Sequence, residues 1–200
     1  DKLWLKDILP ERLRRPARVM LFSYNSSPAI SAAALKLDDH ANSLLQSLNL
    51  KRKDDPHRPL VFVCHSLGGL VVKQVRGRLL DDSYQSLFEA TRLVVFFATP
   101  HQGGNYANVG DVVAKIASMT LREPSNDLID ALKRDSIEAT KRFEQARHVF
   151  ERCLVISFSE SRPYGNMGII VDKKSAVLNL PGSREKQITI DADHGTICKF

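Results

Sequence analysis

The chain has 200 residues, 43% of them hydrophobic, which is enough to bury one sizeable core, so a single domain is expected. Its 29 Lys and Arg against 23 Asp and Glu leave a moderately basic balance of +6, and no aromatics are interleaved with the basic stretches, which argues against nucleic-acid binding. No apolar run approaches the ~18 residues of a membrane span and the amino terminus lacks a signal-peptide pattern, while three cysteines without metal-type spacing, Cys64, Cys153 and Cys198, point to a reducing, intracellular, cytoplasmic setting.

In chain order, WLKDILPERL predicts a short helix stopped near Pro10, and ARVMLFSYN (17–25) a strand. Residues 31–50 carry Leu35, Ala41, Leu44, Leu45 and Leu48 at helical spacing, with His40 on the charged face. The basic segments 11–18 and 51–58 sit beside prolines and read as solvated loops, with contact to an anionic membrane surface as the alternative. PLVFVCH (59–65) is apolar enough for a strand buried on both faces, and a helix follows to about Leu80. Three more strands are expected in residues 92–100, 153–160 and 187–194. Apolar strands separated by helices indicate the α/β class: a mostly parallel sheet with helices on both faces.

Between the second and third of these strands lies a helical insertion, at about 104–150. Val109, Val112, Val113 and Ile116 form one apolar stripe, and Leu128, Leu132, Ile137 and Phe143 a second. Two helices result, serving either as core or as a cap bordering a substrate site, since loops at the carboxyl ends of parallel strands build the pocket in open α/β sheets.

Chemistry concentrates where the apolar run ends, in VFVCHSLGG (61–69). Ser66 falls on the corner between strand and helix, and Gly68 and Gly69 supply the small residues a tight corner needs. The segment matches the G-x-S-x-G nucleophile elbow, with Cys64 in place of the first glycine; the backbone N–H of Leu67 is then an oxyanion donor. The bland alternative is a serine capping a helix. A serine hydroxyl needs a base and an acid to orient that base. His40, His57 and His148 read as solvated, and His65 adjoins the serine in a turn that projects neighbours apart. His194 directly follows the last strand, at the same end of a parallel sheet as the elbow. For the acid, Glu160 ends the third strand and is preferred, with Asp172 in IIVDKKSA as the alternative. His65, His101 and Gln102 are expected to line the pocket. No P-loop order and no H-E-x-x-H occurs, and Asp191, Asp193 and His194 are too close in sequence for a metal site, so neither cofactor nor metal is expected.

VCHSLGGLVVKQ, FFATPHQGG, IIVDKKSAVLNLPG and DADHGTICKF, in this order, resemble the serine-esterase domains at the front of fungal NOD-like (STAND) receptor proteins. They are similar too to the related mitochondrial serine-active-site protein and, more distantly, to GPI-inositol deacylases. The resemblance implies an α/β-hydrolase with Ser66 as nucleophile and His194 as base, hydrolysing an acyl ester or lipid. It also implies an effector role in a larger signalling protein, a nucleotide-binding domain downstream, and scope for mitochondrial association. An upstream strand ending in a His-Gly oxyanion loop does not precede Trp4, so residues 1–200 are expected to form the hydrolase domain without its N-terminal strands and that loop. A module that keeps the hydrolase fold for interaction without turnover is the competing reading.

Overall fold

Among the described residues, three helices precede the sheet: α1 (Trp4–Asp7), α2 (Leu9–Arg12) and α3 (Leu37–Lys51). The apolar runs then form β1 (Leu60–His65), β2 (Thr91–Phe97), β3 (Leu154–Glu160) and β4 (Glu185–Ile190). In the computed structural model, which describes residues 4–14, 16–23, 37–78, 82–101, 106–120, 130, 133–134, 137, 141, 150 and 152–200, these strands make one parallel sheet in the order β1-β2-β3-β4. A parallel neighbour is reached only by a crossover. Helices α4 (Leu67–Arg78) and α5 (Gln85–Ala90) lie in the first crossover and α6 (Tyr106–Thr120) in the second. This is the expected α/β-hydrolase architecture. No helix among the described residues is long and apolar enough to cross a membrane.

Strand alternation sorts the side chains into two cores. Leu60, Phe62, Cys64, Val94 and Phe96 pack against Ala41, Leu44, Leu45 and Leu48 of α3 and Val71, Val72 and Val75 of α4. Val95 and Phe97 belong instead with Ile116 of α6, Ile170, Val171 and Ile197. Trp4 ties the start of the chain to its end beside this second core. Its indole N–H donates to the Cys198 carbonyl at 2.9 Å, and its ring meets Phe97 and Phe200 edge-on.

Several expectations change. Pro10 does not stop a helix; it sits in the first turn of α2, where its missing N–H removes no intrahelical bond. Residues 17–23 join no ladder, although Met20 and Phe22 lean on the first core, so their alternation reflects partial cover and not strand pairing; residues 24 and 25 lie outside the described set. β1 is buried on one face only. Val61 and Val63 are 48% and 39% exposed, and Leu154 and Ile188, further along the same side of the sheet, are exposed too. His40 is buried against the sheet side of α3 and not solvated, and burial lowers its pKa. Arg52 in the basic loop is also buried, because its guanidinium folds back to donate to the Pro56 and Arg58 carbonyls. α5 is an element the apolar pattern did not announce; only Leu87 and Ala90 are buried in it. Of the insertion, α6 is present with Val109, Val113 and Ile116 buried. Leu35, Leu128, Leu132, Phe143 and His148 lie outside the described residues.

Candidate active site

The β1–β2 ladder runs up to Ser66, whose N–H donates to the Phe97 carbonyl at 2.9 Å. The chain must then reverse into α4 within one residue, and Ser66 absorbs the turn at φ 53°, a left-handed conformation unfavourable to a residue with a Cβ. Two donors hold the corner: Gly69 N–H and Thr99 Oγ1 both reach the Ser66 carbonyl, at 3.1 and 3.2 Å. The approach is so close that a Cβ on Gly69 would stand 2.2 Å from Thr99 Oγ1, whereas one on Gly68 would meet nothing within 4 Å. Gly69 is therefore the glycine the corner requires. Cys64, standing where the elbow motif has glycine, turns its sulfur into the first core, and burial raises its thiol pKa so that it stays protonated. Leu67 opens α4, and a first-turn N–H has no intrahelical acceptor.

His194 arrives from the other edge of the sheet. β4 ends at Ile190, and the turn beyond it is fixed from several sides. Ser161 and Arg162 N–H groups donate to the Ala192 carbonyl at 3.2 and 3.1 Å, while the Asp193 carboxylate accepts from Gly195 and Thr196 N–H groups, both at 2.9 Å. The Thr196 hydroxyl donates to the same carboxylate at 2.9 Å, and this bond first, then the two backbone N–H groups, lower the Asp193 pKa. Arg162 forks onto Asp191 beside them. The turn presents the His194 ring to both Ser66 and Glu160: Nε2 lies 2.9 Å from Ser66 Oγ and Nδ1 lies 2.9 Å from Glu160 Oε2.

Glu160 is held by the chain it faces. Its Oε1 accepts the backbone N–H groups of Ile170 and Val171, the latter at 2.8 Å, which leaves Oε2 for the histidine. An ionised carboxylate only accepts, so His194 donates from Nδ1–H and its Nε2 is bare toward the serine hydroxyl. All three side chains are buried. The arrangement is able to take a proton from Ser66 and stabilise the resulting imidazolium.

The remaining candidates are placed as follows. Asp172 is exposed and caps its own turn, with Oδ1 accepting from Ser175 N–H at 2.7 Å, and borders a surface groove with Val112, Lys115 and Ile170. His65 is half-buried, with Nε2 2.9 Å from the His194 carbonyl oxygen. His101 is fully buried, its ring edge-on to Phe96 and its backbone N–H donating to the Ser175 carbonyl at 2.6 Å. Burial, with Lys73 nearby, holds its imidazole well below the usual histidine range. Gln102 lies outside the described residues. The amides of Ile170 and Val171 and the Thr99 hydroxyl were not foreseen: backbone donors carry no side-chain signature, and only the small residue at Gly69 hinted at a close neighbour.

Residues 36–150 match the family model described as "Putative serine esterase (DUF676)". The chain belongs to the DUF676 family. Among curated proteins it is similar to Protein SERAC1 of Bos taurus, 30% identical over 171 residues, and to Protein SERAC1 of Homo sapiens, 29% identical over the same length. Each alignment takes in 80% of this chain, which spans about a quarter (24%) of the length of those relatives. Among solved structures it resembles the lipase BlEst2 of Bacillus licheniformis in its mature form, at a TM-score of 0.55 and 17% identity, over 82% of this chain and 69% of that one. At that identity the likeness speaks to the hydrolase fold. The DUF676 match ends before Glu160 and His194, so those two residues rest on the geometry described above.

Proposed function

We propose that this domain hydrolyses a carboxylic ester through an acyl-enzyme on Ser66. The observation that carries the reading is the chain of contacts from Ser66 Oγ to His194 Nε2 and from His194 Nδ1 to Glu160, 2.9 Å at each link, built on a serine held at positive φ.

In this mechanism Ser66 Oγ attacks the ester carbonyl carbon as its proton passes to His194 Nε2, and the carbonyl π pair moves onto oxygen. The Leu67 N–H at the start of α4 is one donor to that oxyanion, in the position the elbow geometry assigns it. The oxyanion collapses, the C–O bond to the alcohol breaks, and the leaving alkoxide takes the proton from His194. Water then attacks the acyl-serine with His194 as base, and the second collapse returns the proton to Ser66 and releases the acid. Glu160 stays ionised throughout and fixes the ring and its tautomer. A lipid ester as substrate, an effector role in a longer signalling protein, a neighbouring nucleotide-binding domain and mitochondrial association rest on the motif resemblance, and contact with a membrane surface on the basic segments 11–18 and 51–58.

The test is fluorophosphonate labelling and short-chain ester hydrolysis by the full-length protein, wild type against Ser66→Ala. Labelling and hydrolysis abolished in Ser66→Ala, with an unchanged thermal melt, are expected. A wild type that takes no label supports the competing reading, a module that retains the fold without turnover.

A further inference from the structure

The base is fixed to its acid through its side chain, and its turn is fixed to β3 through Ala192. Among the described residues one further bond connects the backbone of His194 to the strand that carries the nucleophile. It comes from His65, the residue before Ser66. A carbonyl oxygen only accepts, so the 2.9 Å contact between His65 Nε2 and the His194 carbonyl assigns the proton to Nε2 of His65. The two imidazole rings lie 5.0 Å apart, tilted by 41°, so the bond is made alongside the base and not through it.

We infer that His65 is a positioning residue for the proposed reaction: its Nε2–H pins the main chain of the base to the nucleophile's own strand and so sets the Ser66–His194 separation. The inference rests on the reading of Ser66 and His194 given above. Ser66 and His194 are 128 positions apart and come from opposite edges of a four-stranded sheet, so their separation inherits every small shift between β1 and β4. A direct tie across that span removes the shift at the point where it matters. The chemistry also explains why this donor is an imidazole. Lysine or arginine could donate to the same carbonyl, but would place a full positive charge beside a ring that must itself become positive during turnover. Burial, together with the neighbouring His194, lowers the His65 pKa, so the ring donates while neutral. Displacing a reacting group by about 1 Å is enough to lower a rate by roughly 100-fold.

The experiment compares His65→Phe, which keeps a ring and loses the donor, with His65→Gln, which keeps a neutral N–H donor, in the full-length protein. Wild-type labelling that disappears in Ser66→Ala first establishes the nucleophile. His65→Phe is then expected to lower kcat and the rate of fluorophosphonate labelling by roughly 10- to 100-fold with KM within about twofold, and His65→Gln to recover most of the loss. If His65→Phe does not fold, His65→Asn, whose amide is one carbon shorter than that of Gln, takes its place and is expected to label more slowly than His65→Gln. Equal labelling rates for wild type and the donor-less variant, or a His65→Gln variant as slow as His65→Phe, overturn the inference while leaving Ser66 as nucleophile. Absence of any Ser66 label in the wild type overturns both.

Discussion

Two buried glutamates stand at opposite ends of the same pair of strands. Glu160 closes β3 and accepts the N–H groups of Ile170 and Val171; Glu185 opens β4 and accepts those of Leu178 and Leu180, at 2.8 and 3.0 Å. Both therefore staple the segment that joins β3 to β4. They differ in what takes the remaining lone pairs. At Glu185 it is the Ser157 hydroxyl at 2.6 Å and, more distantly, the Gln187 amide; at Glu160 it is the imidazole of His194. A loop-anchoring carboxylate thus differs from an orienting carboxylate by one neighbour. The chemistry of the site is borrowed from an arrangement that the fold also uses for anchoring alone.

Exchanging each carboxylate for its amide separates the two roles. In Glu160→Gln the amide oxygen can still accept from Ile170 and Val171, but an N–H₂ then faces His194 and favours the tautomer protonated on Nε2. Turnover is expected to fall by up to about 10,000-fold with little change in the thermal melt. In Glu185→Gln one oxygen must serve where two did, which leaves a buried donor facing a donor. Stability should drop by about 1–3 kcal/mol, read as a lower denaturant midpoint, with kcat within about threefold of wild type. If Glu185→Gln loses turnover as severely as Glu160→Gln, the distinction between the two carboxylates is wrong.

Acid sharpens the comparison from another side. His101 and His65 near the Glu160 end, and His40 on α3, all have pKa values lowered chiefly by burial. The unfolded chain therefore binds more protons than the folded one between the folded pKa values and about 6.5. Stability is complete above that window and is lost as pH falls through it, with a slope of about 1.4 kcal/mol per pH unit for each histidine that the fold keeps neutral. Chemical denaturation from pH 7.5 down to 5 checks the sign; a chain that grows more stable over that range contradicts it. The smallest effect is expected from Asp172→Asn. The amide oxygen still accepts from Ser175 N–H, so stability should change by no more than about 0.5 kcal/mol and turnover should stay near wild type. A severe, fold-neutral loss there would move the orienting role from Glu160 to Asp172.

The strands and the corner were legible because each depends on residues adjacent in sequence. An apolar run that ends at CHSLGG announces β1, the turn and α4 together, and the placement of His194 after the last apolar run follows from a parallel sheet bringing all strand ends to one side. What stayed hidden depends on partners far along the chain. Nothing local marks Lys73 or His40 for burial, because a charged or polar side chain is accepted inside only when distant groups receive it, as the His101 carbonyl does for Lys73 at 3.5 Å. Glu185 reads as an ordinary polar residue ahead of a strand until Ser157, Leu178 and Leu180 close around it. Val61 and Val63 show the converse. A run of β-branched residues predicts cover on both faces, but cover is supplied by other elements, and here it reaches only one.

The order of strands has a consequence in time. The strands lie side by side in the order in which the chain is synthesised, so during synthesis the nucleophile's corner has its strand neighbour once β2 has emerged, while the histidine lies 128 positions after the serine, beyond β4. A nascent chain that has not yet reached β4 would hold a serine without its base, harmless to any ester it meets. Hydrolysis by a stalled nascent chain is then expected only once β4 and His194 have emerged.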